Sequence, residues 1–514
     1  MKKAIALLLA AVLIIGAFPA ASLAAGDERE NTLNVASGSF SGWFSPFFSE
    51  TAYDQNAWAM TQINLLTSDR EGAVILNGIK GETRKYNGTD YTYYGPADLK
   101  ITENANGTVY YDFTLREDIV FSDGEPLTID DVIFNMYVLS DPTYDGSSTF
   151  FSFPIEGMAE YRSGMDTLFN LIMAAGEDND DFSLWTQEQQ ETLWSELNEG
   201  KSAFVQEILD YLVAAGANEE DDTIDLKMAN WGFEVPADAT PADVFDIILE
   251  EYGGDLATMV SVETAGMGLT DLIPSYDDYT AGIETGQAAP NISGIQKIDD
   301  THLRVVATQV DATLIYQFNM AIAPMHYYGD PDLYDYDNNS FGFPKGDLSL
   351  IRSKTTQPMG AGPYKFIKFE NGVINYEANE NYFKGAPKTK YVNFVETTAD
   401  QDKLNGIMTG TIDISDPSFT NDNIAAIMQT NSNGELTGDV ITTNTVDNLG
   451  YGYIGQNAMN VNVGGEPGSD ASKALRKGFM TLFSVYRDTV INSYYGDRAA
   501  VIQYPISNTS WAAP

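Results

Sequence analysis

The sequence contains no cysteine, and this absence excludes several kinds of chemistry. None of the 514 residues can form a disulfide, a thiolate zinc site, a nucleophilic thiol or an iron–sulfur cluster. Histidine is nearly as rare, because only His302 and His326 occur. A histidine-rich metal site is therefore excluded, and a Ser-His-Asp triad would have to use one of these two residues.

Basic residues are also scarce. The chain has 28 Lys and Arg against 74 Asp and Glu, which gives a formal net charge of −46. A field of this sign repels phosphate backbones and anionic lipid, so nucleic-acid binding is not expected. The chain is nevertheless 43% hydrophobic and 12% aromatic, which predicts a folded protein, and its length allows two or more lobes with their own cores.

Long apolar runs are missing after the N-terminus. Met1, Lys2 and Lys3 precede an apolar stretch over 4–18, and small residues follow. This pattern predicts an export signal over 1–26, with an uncleaved anchor as the alternative. Leu23-Ala24-Ala25-Gly26 has the shape of a lipoprotein box with Gly where the lipidated Cys belongs, so no lipid anchor is possible. We therefore expect an exported protein at the cell surface, on the extracellular face of the membrane or in the periplasm.

The remaining chain divides into three regions. Residues 27–163 combine strand patterns with a helix start at Thr128, which stands three residues before Asp131. Residues 164–290 contain 28 acidic and two basic residues, with apolar residues at helical spacing. They predict a helical insertion with an acidic, solvated surface. Residues 291–514 return to mixed patterns.

The last region has one long helix pattern, over 472–495. Its apolar positions repeat at helical spacing, and we expect them to face inward. They are Leu475, Phe479, Leu482, Phe483 and Tyr486. Tyr451 and Tyr453 alternate in a way that predicts a strand.

Aromatic residues among small residues are the main functional signal. Phe40, Trp43 and Phe44 are interleaved with Ser and Gly, and Phe150 lies in a similar stretch. Such residues suit a concave binding wall, and core packing is the alternative for each of them. Paired acids are too common here to indicate an enzyme, because a glycosidase is defined by the distance between its carboxyl groups.

A longer motif resembles a known family. Residues 113–134, FTLREDIVFSDGEPLTIDDVIF, resemble the signature of the bacterial extracellular solute-binding proteins of family 5, the peptide, dipeptide and nickel class. Other segments follow the family pattern in order, on both flanks of the acidic segment but not within it. They are 33–35, 44–47, 155–161, 292–300, 324–328, 360–364, 379–385, 410–414 and 474–477.

The resemblance implies an α/β clamshell of the periplasmic-binding-protein type (class II). Lobe I, with an extra subdomain, would comprise 27–163 and 291–359 and carry the acidic insertion over 164–290. Lobe II would comprise 360–514. The family captures a ligand between its lobes without chemical change, so the resemblance implies no catalytic residue, cofactor or metal. It also implies a monomer that binds an oligopeptide and delivers it to the transmembrane permease subunits of an ABC importer.

The resemblance also implies the site residues. Phe40, Ser41 and Gly42, next to Trp43, correspond to the strand segment that faces the ligand. Tyr144 and Phe150 correspond to an aromatic wall, and Tyr451 and Tyr453 to a cleft strand of the second lobe. The crossover between the lobes corresponds to Gly360, Gly362, Pro363 and Tyr364.

Three departures from the family pattern leave alternatives open, and the first is the insertion over 164–290, which is unusual for the family. Ala361 stands where the family motif has Thr, and the family pattern continues past the position of Pro514, so we expect an incomplete second lobe. One alternative is a surface adhesion or sensing protein that binds a partner through the acidic segment. Another is the same importer role with a nickel chelate or an oligosaccharide as ligand.

Overall fold

A computed structural model of the chain describes residues 31–49, 51–444, 450–508 and 513. The predicted export signal lies outside these residues. The described part mixes helices and strands, which confirms the predicted α/β class. Within it, no helix combines the length and the apolar character needed to cross a membrane.

The strands are short. In chain order they are β1 (Thr32–Ser37), β2 (Glu82–Tyr86), β3 (Thr89–Tyr93), β4 (Ala97–Glu103), β5 (Val109–Leu115), β6 (Met165–Thr167), β7 (Gly282–Glu284), β8 (Ile295–Lys297), β9 (His302–Ala307), β10 (Tyr334–Asp335), β11 (Ser340–Phe341), β12 (Tyr364–Glu370), β13 (Val373–Ala378) and β14 (Tyr391–Glu396).

The helices range from single turns to 28 residues. In chain order they are α1 (Ala52–Ala59), α2 (Ile129–Val138), α3 (Met158–Arg162), α4 (Leu168–Ala175), α5 (Gln187–Ala214), α6 (Ile224–Trp231), α7 (Pro241–Glu251), α8 (Leu256–Glu263), α9 (Leu269–Leu272), α10 (Leu314–Gln317), α11 (Met325–Tyr328), α12 (Ser349–Arg352), α13 (Asp400–Thr409), α14 (Asn421–Thr430) and α15 (Asp470–Tyr495).

The largest core lies on an antiparallel sheet of order β4-β5-β9-β8. Alternate residues of β5 are buried, as its strand pattern predicts, and α2 packs into the same core. The helix begins where the sequence indicates, because Thr128 N donates a hydrogen bond to the Asp131 carboxylate at 2.8 Å. Strand β5 and helix α2, two elements of this core, therefore follow from local patterns in the chain.

A second four-stranded sheet brings distant parts of the chain together. Its order is β1-β14-β13-β12, with β1 parallel to β14 and the other pairs antiparallel. Asn34, Asn393 and Asn375 are aligned across it, and their side chains are hydrogen-bonded in series at 2.9 and 2.7 Å. The strands of 364–396 thus share a sheet with the first strand, and the domain boundaries stay predictions.

The acidic segment is helical, as predicted, and has a core of its own. Helices α4 to α9 surround buried side chains such as Phe204 and Phe245, whose rings meet edge to face at 5.6 Å. Strands β6 and β7 pair antiparallel, from Thr167 opposite Gly282 to Met165 opposite Glu284. The chain therefore enters and leaves this helical unit (residues 168–281) through a two-stranded stem.

Two expectations for the C-terminal region are wrong. Helix α15 forms, but its predicted inward face is solvent-exposed: Leu475, Phe479, Leu482 and Tyr486 are exposed, and Phe483 is half-buried. Residues 450–456 form no strand, although all of them are described. Both expectations required a neighbouring element to cover a face or to pair with a backbone. Among the described residues, the face of α15 stays largely exposed and no strand forms at 450–456.

Candidate functional site

The segment over residues 40–43 follows β1 and contains four of the predicted site residues. The Phe40 ring is half-buried, edge to face with Phe44 at 5.9 Å and with Phe369 at 5.7 Å between ring centroids. Ser41 and Trp43 are exposed. The structure therefore presents these residues at the surface beside the ends of β1 and β14, as a binding segment requires.

Gly42 allows the turn in this segment. Its φ is +90°, a conformation that residues with a Cβ rarely adopt, and nothing lies within 4 Å of the position that a Cβ would occupy. The need for glycine at this position is therefore conformational and not steric.

Sequence reasoning missed the residue that holds the segment in place. Asp54 is the third residue of α1, and its carboxylate is fully buried. It accepts hydrogen bonds from Ser41 N at 3.2 Å, Gly42 N at 3.3 Å and the Ser41 hydroxyl. The available signal was Thr51, three residues earlier, which caps α1 and donates its hydroxyl to Asp54 at 2.7 Å. That spacing indicates a helix start but not a long-range contact.

A second carboxylate, that of Glu396, accepts a hydrogen bond from the backbone of Phe40. Phe40 N donates a hydrogen bond to Glu396 Oε1 at 2.7 Å, and Glu396 is the last residue of β14. The N–H groups of Phe40, Ser41 and Gly42 therefore all have carboxylate acceptors, from two different elements. Hydrogen bonds to ionised acceptors are stronger than neutral ones, so this backbone is well fixed.

Tyr144 and Phe150 lie inside the largest core. Phe150 is fully buried, and its ring packs against Phe318. The Tyr144 hydroxyl donates to Phe47 O at 2.6 Å, and burial raises the pKa of Tyr144 to about 12. Core packing, the alternative considered for each aromatic residue, is what the structure has at both positions. A ligand-binding role for them stays a prediction.

Tyr451 and Tyr453 are not brought near the 40–43 segment by any contact in the described residues. Their rings lie 6.3 Å apart, and the side chains are 47% and 83% exposed. Because they lie on an irregular stretch, the predicted cleft strand is wrong for this structure, and their role in binding stays a prediction.

The predicted crossover contains a close approach of two backbones. Gly362 N donates to Thr61 O at 2.8 Å, and Tyr364 N donates to Met60 O at 3.0 Å. A Cβ on Gly360 or Gly362 would lie 2.3 Å from atoms of the segment that follows α1. Packing therefore requires glycine at both positions. A hinge role for Gly360, Gly362, Pro363 and Tyr364 stays a prediction.

The region around the 40–43 segment offers aromatic rings, a fixed backbone and the buried carboxylate of Asp54, which is already hydrogen-bonded. In the described part of the chain, no group of three or more His, Asp and Glu side chains is arranged to hold a metal ion.

The solved structures to which the chain is similar include the following three. For the oligopeptide-binding protein AppA of Bacillus subtilis, in complex with a nonapeptide, the identity is 15% and the TM-score 0.37, over 78% of this chain and 45% of that one. For Haemophilus influenzae OppA in complex with RPPGFSPFR, the identity is 14% and the TM-score 0.36, over 78% of this chain and 48% of that one. For NikZ of Campylobacter jejuni in complex with Ni(L-His), the identity is 12% and the TM-score 0.33, over 74% of this chain and 42% of that one. The chain thus spans less than half the length of each.

No curated protein matches the sequence. A family model, described as bacterial extracellular solute-binding proteins, family 5 Middle, matches residues 95–230 and 261–514. The match runs through most of the acidic segment and leaves 231–260 outside, so the expectation that the resemblance excludes that segment was wrong. More than half of the chain is matched, and the chain belongs to the bacterial extracellular solute-binding proteins of family 5.

Proposed function

We propose that this protein captures oligopeptides outside the cytoplasm and delivers them, chemically unchanged, to the permease of an ABC importer. The observation that carries the proposal is the family match over 95–230 and 261–514. The family consists of extracellular solute-binding proteins, which bind their substrates and are not enzymes. By this proposal residues 1–26 direct export, the mature protein acts as a monomer, and the ligand lies between two lobes.

The 40–43 segment supports a peptide as the ligand. It follows β1 and ends in an exposed tryptophan, Trp43. A second exposed ring, that of Tyr53, lies against Gly38, two residues before the segment. An extended peptide can pair its main chain with such a segment while aromatic rings contact its side chains. Binding by the main chain would tolerate many peptide sequences, which suits a protein that takes up nutrients.

Calorimetry tests the ligand class. The full chain is titrated with a panel of synthetic oligopeptides, an oligosaccharide and a nickel–histidine chelate. We expect heat of binding with the peptides and none with the other two. Heat with the sugar or the chelate, and none with any peptide, would replace the peptide by that ligand within the same transport role.

A second candidate function is adhesion or sensing through the acidic helical unit (residues 168–281). The unit has its own hydrophobic core, and its two ends pair in the β6–β7 stem. These features support the candidate because an independent module with one strong charge can present a contact face to a basic partner.

Removing the helical unit distinguishes the two candidates. Residues 168–281 are replaced by a two-residue glycine-containing turn between Thr167 and Gly282, which are already paired. Peptide binding should persist if the protein is a transport receptor. Loss of cell-surface or partner binding, with peptide binding absent both before and after the deletion, would favour the second candidate.

A further inference from the structure

The buried carboxylate of Asp54 serves a segment to which it is not adjacent in sequence. The carboxylate accepts one hydrogen bond from the hydroxyl of Thr51, the residue that caps the helix. It accepts its other hydrogen bonds from Ser41 and Gly42. A cap requires only the hydrogen bond from Thr51. The remaining bonds, made by a side chain with no exposed surface, fix the backbone twelve and thirteen residues upstream.

The carboxylates leave a distinctive pattern of free groups. Phe40, Ser41 and Gly42 each donate their N–H to Glu396 or Asp54. Their carbonyl oxygens, in contrast, accept no hydrogen bond from any residue in the described part of the chain. The segment therefore has free hydrogen-bond acceptors but no free backbone donors at 40–42. The edge of a strand would have free groups of both kinds.

We propose that Asp54 is a positioning residue that turns this segment into a row of acceptors for the N–H groups of a ligand main chain. The inference rests on the proposed function, and it narrows the ligand class. A ligand bound here must bring hydrogen-bond donors, as a peptide with unsubstituted amides does. A ligand that has only carbonyl or carboxylate oxygens gains nothing from this segment.

The test uses the full chain, the variant Asp54→Asn, and a hexapeptide, Lys-Ala-Ala-Ala-Ala-Lys, in high salt to screen the net negative charge. Analogues of the peptide carry an ester in place of one amide at a time, which removes a single N–H with little change in shape. In the variant, asparagine keeps one acceptor oxygen but loses the charge and the second acceptor, so it cannot accept from the N–H groups of Ser41 and Gly42 and also from the hydroxyls of Ser41 and Thr51. Binding is measured by calorimetry, and amide hydrogen exchange is followed over residues 39–43.

The expected result has two parts. Asp54→Asn weakens binding of the all-amide peptide about tenfold and speeds amide exchange over 39–43 by a similar factor, because hydrogen bonds to a charged acceptor are lost. The wild-type protein binds at least one ester analogue about tenfold more weakly than the all-amide peptide. For the variant, the difference in affinity between that ester and the all-amide peptide is much smaller.

Asp131→Asn is the matched control. Asp131 is also a buried third-position residue of a helix that follows a threonine, and it also accepts from a distant backbone N–H, that of Met325 at 3.0 Å. This variant should lose stability but keep both peptide affinity and exchange over 39–43. Equal binding by Asp54→Asn and wild type, or no ester weaker than the parent peptide, would overturn the inference alone. Absence of any peptide binding by the wild type would instead overturn the proposed function.

Discussion

Helices α5 and α15 are nearly equal in length and in pattern, and they differ completely in burial. They have 28 and 26 residues, each begins at a hydroxyl cap, and each repeats apolar residues at helical spacing. The apolar stripe of α5 is buried against the other helices of its unit. The stripe of α15 is largely exposed, from Leu475 to Val490.

The difference shows what periodicity can and cannot specify. A repeat near 3.6 residues determines which side chains share a face, because the backbone alone fixes that geometry. It does not determine what covers the face. In α5 the cover is supplied by α6, α7 and α9, which follow in sequence. The contacts include the 2.7 Å ion pair of Lys201 with Asp246.

The largest expected contrast comes from removing one phenylalanine ring from each helix. Phe204 of α5 is 1% exposed, and Phe479 of α15 is 44% exposed. Phe204→Ala should lower the free energy of unfolding of the helical unit by about 3–5 kcal/mol, because it leaves a cavity in a packed core. Phe479→Ala should change stability by no more than about 0.5 kcal/mol. Urea denaturation followed by far-UV circular dichroism measures both.

A loss of similar size in the two variants would break the comparison, since it would mean that the α15 face is covered in solution. Fluorescence of an apolar dye gives an independent check. Phe479→Ala should reduce dye binding, and Phe204→Ala should increase it as the unit loosens.

The helix caps give a smaller contrast. Thr186 caps α5 through Gln189 N at 3.2 Å, and Ser469 caps α15 through Ser472 N at 3.2 Å. Thr186→Ala should cost about 1 kcal/mol of stability in the cooperative unfolding of its unit. Ser469→Ala should fray the start of α15 without moving the main transition, because that helix adds little buried area. Hydrogen exchange of the first turns, compared with the midpoint in urea, separates local fraying from global loss. Equal shifts of the midpoint would argue against this assignment.

The smallest effect concerns pH within the helical unit. Hydrogen bonds from the hydroxyl and the N–H of Thr240 hold the pKa of Asp243, at the start of α7, below its ordinary value of 3.8. Because the pKa is lowered by folding, its contribution to stability is present above pH 3.8 and is lost as the pH falls through the lowered pKa.

Asp243→Asn is the corresponding variant. It should melt no more than about 1 °C below wild type at neutral pH, and the difference should vanish in acid. Differential scanning calorimetry at several pH values measures it. A difference that grew on acidification would have the wrong sign for a lowered pKa and would exclude this cause.

Local patterns were enough to predict much of the fold. The helix start at Thr128 is confirmed, because a cap involves residues only three positions apart. Helices α5 and α7 begin at Thr186 and Thr240 with the same spacing. The alternate burial along β5 likewise follows from a local pattern, because successive side chains of a strand point to opposite faces. Family motifs along the chain were enough to predict the family itself.

The failures in predicting the structure all depended on contacts between distant residues. A strand at Tyr451 and Tyr453 needed a pairing partner, and an inward face on α15 needed a covering element. The contact of Asp54 with Ser41 and Gly42 was missed because an acid at the start of a helix has an ordinary local use. In the candidate site the residues at 40–43 could therefore be chosen from sequence, but the side chain that holds them could not.

The β6–β7 stem gives a simple route by which the protein could have acquired the acidic helical unit and its negative charge. Since Thr167 and Gly282 face each other across one pair of strands, a whole helical module can be gained or lost at this point in a single genetic event. The surrounding sheets would keep their register, because neither chain end at the junction has to move. Relatives that differ widely in length and acidity could then share the same surrounding sheets.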